Sequence, residues 1–379
     1  MNAPPPPGIE HGAKAATRGK LATPALLGVV GIVVLNSGLW VAAASADRAS
    51  RDIFLLLFSL MALAQLVLGL VGAVSAFRVR RWFSGAFGIL ASLGAAVGWL
   101  GGVFLATFSG GAWGRPLRVR GRQLHPELKR GSDWTRGERP SGAGLDEATR
   151  AALEALWLHD AQKEHASVPA FSRVGWLLAA AGAPAELLEW SHRAALEEIE
   201  HTRLCFALAA GYGGRSFTVE PMPDLLLGGL EVKGNALAVL ARESLSDGCQ
   251  LEDFNADVAA ACAAVCEEPA TKRVLEVIAR EERTHADFSW AVVEWLLRHD
   301  RVTAERALAG ALAELSRYPR PTAVSGDKLA LVRKADAAAL LRHGRLPDAE
   351  WARIWDERME KTRARYESSV GSSQPARAA

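Results

Sequence analysis

Three stretches near the N-terminus, 21–46, 53–77 and 83–108, run without a single charged residue. Each exceeds the roughly 20 residues that cross a bilayer, so the pattern predicts a three-helix transmembrane region over 21–108. The connectors are short and charged (Asp47, Arg48, Arg51, Asp52, then Arg78, Arg80, Arg81), as expected where a chain turns at the headgroups. In the third stretch Gly94, Gly98 and Gly102 recur every four residues, which lets a neighbouring helix approach closely and offers a route to a homo-oligomer. The first stretch ends in Ala44-Ser45-Ala46, the form of a signal-peptide cleavage site, yet it is longer than the about 7–15 apolar residues of a signal peptide. A Pro-rich leader, 1–20, precedes it and is expected to be disordered. Basic residues are balanced on the two sides of the spans. The run that continues through Lys129, Arg130, Arg136 and Arg139 favours a cytoplasmic C-terminal domain.

Beyond this region the pattern changes twice. From 109 to 144 the chain is rich in Gly, Pro, Arg and Ser without a sustained period, which reads as a basic linker. From Leu145 onward apolar residues recur at helical spacing and nothing alternates as a strand does, so the domain is expected to be all-α. Four long helices are predicted, over 146–181, 185–211, 235–266 and 270–298, with tight turns at Gly182-Ala183-Pro184 and Glu268-Pro269. A long connection, 211–233, separates the two hairpins. Short, long, short is the connectivity of a four-helix bundle, placed here over 145–298. Shorter helices near 303–317, 327–343 and 347–367 form a C-terminal extension, 299–368, followed by a tail, 369–379, expected to be disordered.

Composition narrows the function more than the fold. Half of the residues are hydrophobic, which excludes a disordered chain. Lys+Arg at 44 against Asp+Glu at 42 leaves a net charge of +2, and no basic, aromatic-interleaved surface is evident, so no nucleic-acid partner is expected. The four cysteines, Cys205, Cys249, Cys262 and Cys266, lie among small apolar residues and read as buried free thiols.

The chemistry concentrates in two short motifs. The second helix carries Glu198-x-x-His201 and the fourth carries Glu282-x-x-His285. An i,i+3 separation places both side chains on one face, so a carboxylate and an imidazole can bind one metal ion together. Both motifs lie inside apolar stripes, and a buried carboxylate must be paired, protonated or metal-bound. The first helix offers Glu164, 19 residues before Ala183, while Glu198 and His201 lie 15 and 18 after it. Closing the hairpin brings them level. In the third helix Glu252 lies 16 residues before Glu268, against 14 and 17 after it for Glu282 and His285. Glu243 would miss by roughly 12–16 Å, so Glu252 completes the set. Glu197, Glu200 and Glu281 turn away from the stripes and read as solvated. His159, His165 and His192 read as surface or packing residues. Pro169 is expected to kink the first helix beside the site.

These residues resemble the ferritin-like superfamily of di-iron carboxylate proteins, over about 145–297. Glu164, Glu198, His201, Glu252, Glu282 and His285 match its six-ligand pattern. The stretches Lys163-Glu164-His165-Ala166-Ser167-Val168 and Leu204-Cys205-Phe206-Ala207-Leu208-Ala209 look more like a bacterial set of ferritin-like domain proteins, for which the resemblance supplies a fold and no substrate. It implies two iron ions, with manganese as the alternative, and oxygen- or peroxide-dependent redox chemistry such as ferroxidation, peroxide reduction or hydroxylation, which the three expected spans would place at a bacterial inner membrane. Lacking the paired Cys-x-x-Cys of a rubredoxin module, such an oxidoreductase would depend on a separate, unidentified electron donor. A non-catalytic tethered iron-binding or storage protein and a metal-free helical scaffold are the alternatives.

Overall fold

The computed structural model describes residues 114–372, apart from 120, 121, 229, 233 and 325. The expected leader and the three expected spans lie outside the described residues. Among the described residues no helix is long and apolar enough to cross a membrane. They are mostly helical, and the helices are those of two hairpins with a long connection between them.

Helix α1 (Glu147–Ala180) starts where the Asp146 carboxylate accepts from the Thr149 amide, satisfying one of the unpaired N–H groups of the first turn. It runs through Pro169 as one helix and stops before Gly182, which adopts φ +67°. Pro184 then opens α2 (Ala185–Gly213). The third rod begins at Asn235, whose side chain caps α3 (Ala236–Glu243), passes through a π-helical segment, Ser244–Gln250, and continues as α4 (Leu251–Val265). Glu268 caps α5 (Pro269–His299) by accepting from Thr271, with Pro269 in the first turn, where its missing N–H costs nothing. Thus the predicted third helix is three segments, and the two tight turns fall where the sequence places them. Helix α1 packs chiefly on α2, α4 on α5, and α2 also meets α5.

The π-helical segment has a steric correlate. A Cβ at Gly248 would overlap the side chain of Ser289, so this part of the rod lies closer to α5 than any larger residue allows. A π turn rotates and lengthens the rod locally, and such turns recur beside functional side chains.

The extension packs back on the bundle. Helix α6 (Arg301–Leu315) lies against α3, and the expected 327–343 helix is divided into α7 (Leu329–Val332) and α8 (Ala337–Arg342), the latter capped by Asp336. Helix α9 (Asp348–Ser372) reaches into the segment expected as tail and brings Trp351, Ile354 and Trp355 into the core beside Phe254.

Short strands accompany the helices. Strands β1 (Arg118–Val119) and β2 (Arg122–Gln123) pair antiparallel, and β3 (Leu128–Arg130) pairs with β4 (Phe217–Val219). The described part of the 109–144 linker is therefore applied to the bundle. Leu117, Val119 and Leu124 are buried with Ala166 and Ala170 of α1.

The core is layered along the rods. One apolar cluster includes Trp157 and Ala161 of α1, Cys205 and Leu208 of α2, Phe254 and Val258 of α4, and Leu275 and Ile278 of α5. The other includes Phe171 and Leu178 of α1, Leu187 and Ala194 of α2, Leu245 and Cys249 of the third rod, and Phe288 and Val292 of α5. On every rod the residues between these two clusters include the carboxylates singled out above. The polar layer is sandwiched between two dry ones.

Candidate metal centre

Glu164, Glu198, His201, Glu252, Glu282 and His285 are all fully buried. The folded rods bring them into two overlapping groups. Glu164, Glu198, His201 and Glu282 form one, and Glu198, Glu252, Glu282 and His285 form the other, the potential ligand atoms within each lying within 4.8 Å of one another. Glu198 and Glu282 belong to both. The helical domain thus contains a buried acidic and histidine cluster compatible with a di-metal helical bundle.

Glu243 lies elsewhere, pairing with Arg173 at 3.1 Å and partly exposed. None of the four cysteines joins either group; all are buried and free. His165 packs edge-on against Trp134, His159 against His125, and His192 lies near Gly175.

The cluster is dense in unmatched polarity. Both oxygens of Glu164, Glu198, Glu252 and Glu282, together with Nδ1 of His201 and His285, have no partner in hydrogen-bond geometry. Buried polar atoms are nearly always satisfied, so ten such atoms facing one another are compatible with a metal-binding cluster. Two like charges 4 Å apart repel by about 4 kcal/mol at an effective dielectric near 20. Burial pushes the Glu164 carboxyl well above its ordinary range, and the charge of Glu198 adds to this. Glu282 is raised strongly by burial and by Glu252 beside it, and burial raises Glu252 too. Burial opposes ionisation of Glu198 as well, but the imidazoles of His201 and His285 beside it overcome this and hold the carboxyl at about 2. For the imidazoles burial works against charging, yet Glu198 and Glu281 raise His201 well above its usual value, and Glu197 with Glu198 raises His285 to about 9.

Two residues read as solvated from sequence turn out to touch the cluster. Nε2 of His201 lies 2.9 Å from Oε2 of Glu281, and Nε2 of His285 lies 2.9 Å from Oε2 of Glu197. Each imidazole Nε2–H donates to a carboxylate at the edge of the bundle, which leaves Nδ1 aimed inward, 3.6 Å from Glu198 for His201 and 3.4 Å for His285. A carboxylate behind a ligating imidazole fixes its tautomer and raises its basicity. The signal in the sequence was the doubled glutamate, Glu197-Glu198 and Glu281-Glu282, which opens both motifs.

The segment ahead of the bundle closes the site from one side. Gly114, at φ +69°, lies so near α1 that a Cβ would overlap Ser167 Oγ and come within 2.9 Å of Glu164 Oε2. The buried Arg115 guanidinium next to it donates to the Glu243 carbonyl at 3.0 Å and to Ser289 at 3.4 Å, tying the strap to the π-helical region and α5. No periodicity announces this role.

The donor set fits a pair of divalent ions. With neutral imidazoles and four ionised carboxylates the formal charge is 4 × (−1) = −4, which two divalent cations offset. Oxygen with imidazole nitrogen and no thiolate suits iron or manganese. Set against known proteins, the chain matches no family model, no curated protein and no solved structure.

Proposed function

We propose that this chain is a membrane-anchored, ferritin-like di-metal protein whose centre performs oxygen- or peroxide-dependent redox chemistry, with iron as the metal and manganese as the alternative. The observation that carries the reading is the convergence of ten unpartnered oxygen and nitrogen atoms in two groups that share Glu198 and Glu282. Those two carboxylates would contribute to both metal positions. Glu164 and His201 would complete one position, and Glu252 and His285 the other. A bound pair of redox-active ions supplies two electrons together for the reduction of oxygen or peroxide.

The chain's own groups prepare that chemistry. Glu281 and Glu197 hold the imidazoles with Nδ1 inward, the apolar layers around Trp157 and Phe171 keep bulk water away, and the strap at Gly114 covers Glu164. The membrane is the expected location, through the apolar runs 21–46, 53–77 and 83–108, with the helical domain on the cytoplasmic side of a bacterial inner membrane. Electrons would come from a separate donor.

Turnover tests the proposal. The full chain loaded with iron is mixed with oxygen or peroxide, and consumption is followed over many equivalents with a chemical reductant present. Sustained consumption, lost in Glu198→Ala, supports a redox enzyme. Metal uptake with no consumption beyond one equivalent of the bound ions would replace it with a storage role.

A further inference from the structure

The connection between β4 and α3 carries a short 3₁₀ turn, Pro223–Leu227, within the sequence Met222-Pro-Asp-Leu-Leu-Leu-Gly-Gly-Leu230. Its apolar residues divide into two sets. Met222 and Leu225 pack inward, on Leu117, Val119 and Leu124 of the strap and on Ala166 and Ala170 of α1. Leu226, Leu227 and Leu230 point outward, 91%, 54% and 48% exposed. Three large aliphatic side chains this close together and this exposed are unusual on a surface that meets only water.

The position of this turn relative to the rest of the chain identifies its partner. The strap on which it rests is the first described segment after the uncharged run 83–108. From Phe108 to Leu117 there are nine residues, which span at most about 32 Å when fully extended. A chain that leaves the bilayer near Phe108 therefore holds the three leucines within a short tether of the headgroups. The charged residues that flank the three leucines in sequence, Asp224 and Glu231, are acidic and give no attraction to anionic lipid.

We infer that Leu226, Leu227 and Leu230 insert into the interfacial layer of the phospholipid bilayer and form a second, peripheral membrane contact of the helical domain. The inference rests on the reading of 21–108 as membrane-spanning. Insertion is driven by apolar area and is insensitive to the anionic lipid content. Because Leu225 and Leu117 share one small core with α1, the same contact fixes the strap that covers Glu164.

The four native cysteines are buried, so the full chain can be labelled at a single introduced thiol. Leu226→Cys carries a fluorophore, and Val302→Cys, 71% exposed in the first turn of α6, carries the same label as a control. Both are reconstituted in phosphatidylcholine vesicles with brominated acyl chains, with and without phosphatidylglycerol. The expected result is quenching at position 226 severalfold stronger than at 302, equal with and without the anionic lipid. Adding Leu227→Asp and Leu230→Asp should abolish it. A chain that floats with the vesicles but shows no lipid quenching at 226 overturns the inference and leaves the membrane anchor standing. Protection of 226 from aqueous iodide without lipid quenching also overturns it, in favour of a protein cover. A chain that does not float removes both readings.

Discussion

Glu197 on α2 accepts from the imidazole of His285 on α5, and Glu281 on α5 does the same for His201 on α2, so each Glu-Glu-x-x-His motif buttresses the histidine of the other. The exchange joins the two hairpins through the polar layer. Glu197→Gln or Glu281→Gln keeps the volume but loses the charge behind the imidazole. Each should lower metal affinity by roughly 10–100-fold while leaving the helical circular dichroism unchanged. Competition titration against a chelator of known affinity checks this, and an unaltered affinity would place both glutamates outside the site.

Gly114→Ala should disturb the cover of the site. The added methyl overlaps Ser167 Oγ and crowds Glu164 Oε2, at a backbone conformation that disfavours a side chain. A loss of about 1–3 kcal/mol is expected by thermal unfolding. Combining it with Ser167→Ala removes the nearest obstacle and should restore part of the loss.

The third rod separates two glutamates. Glu252→Gln should empty one of two metal positions, because its carboxylate belongs to only one of the overlapping groups. Glu243→Gln breaks the partly exposed pair with Arg173 and should cost under about 1 kcal/mol with no change in metal content. Metal analysis and a thermal melt of both variants distinguish them.

The acidic and histidine cluster should contribute less stability to the metal-free domain as pH rises, against His159, His165 and Lys163, whose depressed values act in the opposite sense. Glu164, Glu252 and Glu282 titrate above their ordinary 4.5 in the folded state, and His201 and His285 above 6.5, the latter at about 9. At these groups the folded state then binds more protons than the unfolded one, so their contribution is fully present below the unfolded values and falls from about pH 4.5 to pH 9. Glu198, held near 2, acts in the opposite sense and withdraws stability only as pH drops from about 4.5 toward 2. Metal binding displaces the same protons, so the metal-induced rise in Tm should grow with pH. Melts of the full chain with chelator and with manganese, from pH 5 to 9, would show the two trends diverging.

Much of this arrangement is written in local chemistry. Asp146, Gly182-Ala183-Pro184 and Glu268-Pro269 act through capping and φ preferences of single residues, so the helix ends they set are readable without tertiary information. Equal rise per residue then carries Glu164 and Glu252 to the level of the two motifs. The π-helical turn at Ser244–Gln250 was not readable, since its apolar spacing also satisfies an ordinary helix and its position against Ser289 is a tertiary fact. The strap was not readable either. Gly114 and Arg115 act through contacts with residues more than fifty positions away, and a Gly- and Arg-rich stretch looks the same applied to a bundle or free in water. Glu197 and Glu281 were misread because a helical wheel divides faces into inside and outside, whereas these side chains reach around the edge to the opposite hairpin.

The central claim is that six buried side chains hold two metal ions, and the most direct test is metal stoichiometry of the purified full chain after anaerobic loading with iron(II) and, separately, manganese(II). Two ions per chain are expected, falling to none or nearly none in Glu198→Ala and Glu282→Ala, whose carboxylates belong to both groups, and staying at two in Glu200→Ala, whose carboxylate pairs with Arg203 at the surface. No bound metal in the unaltered chain, or two ions retained after Glu198→Ala, would contradict it.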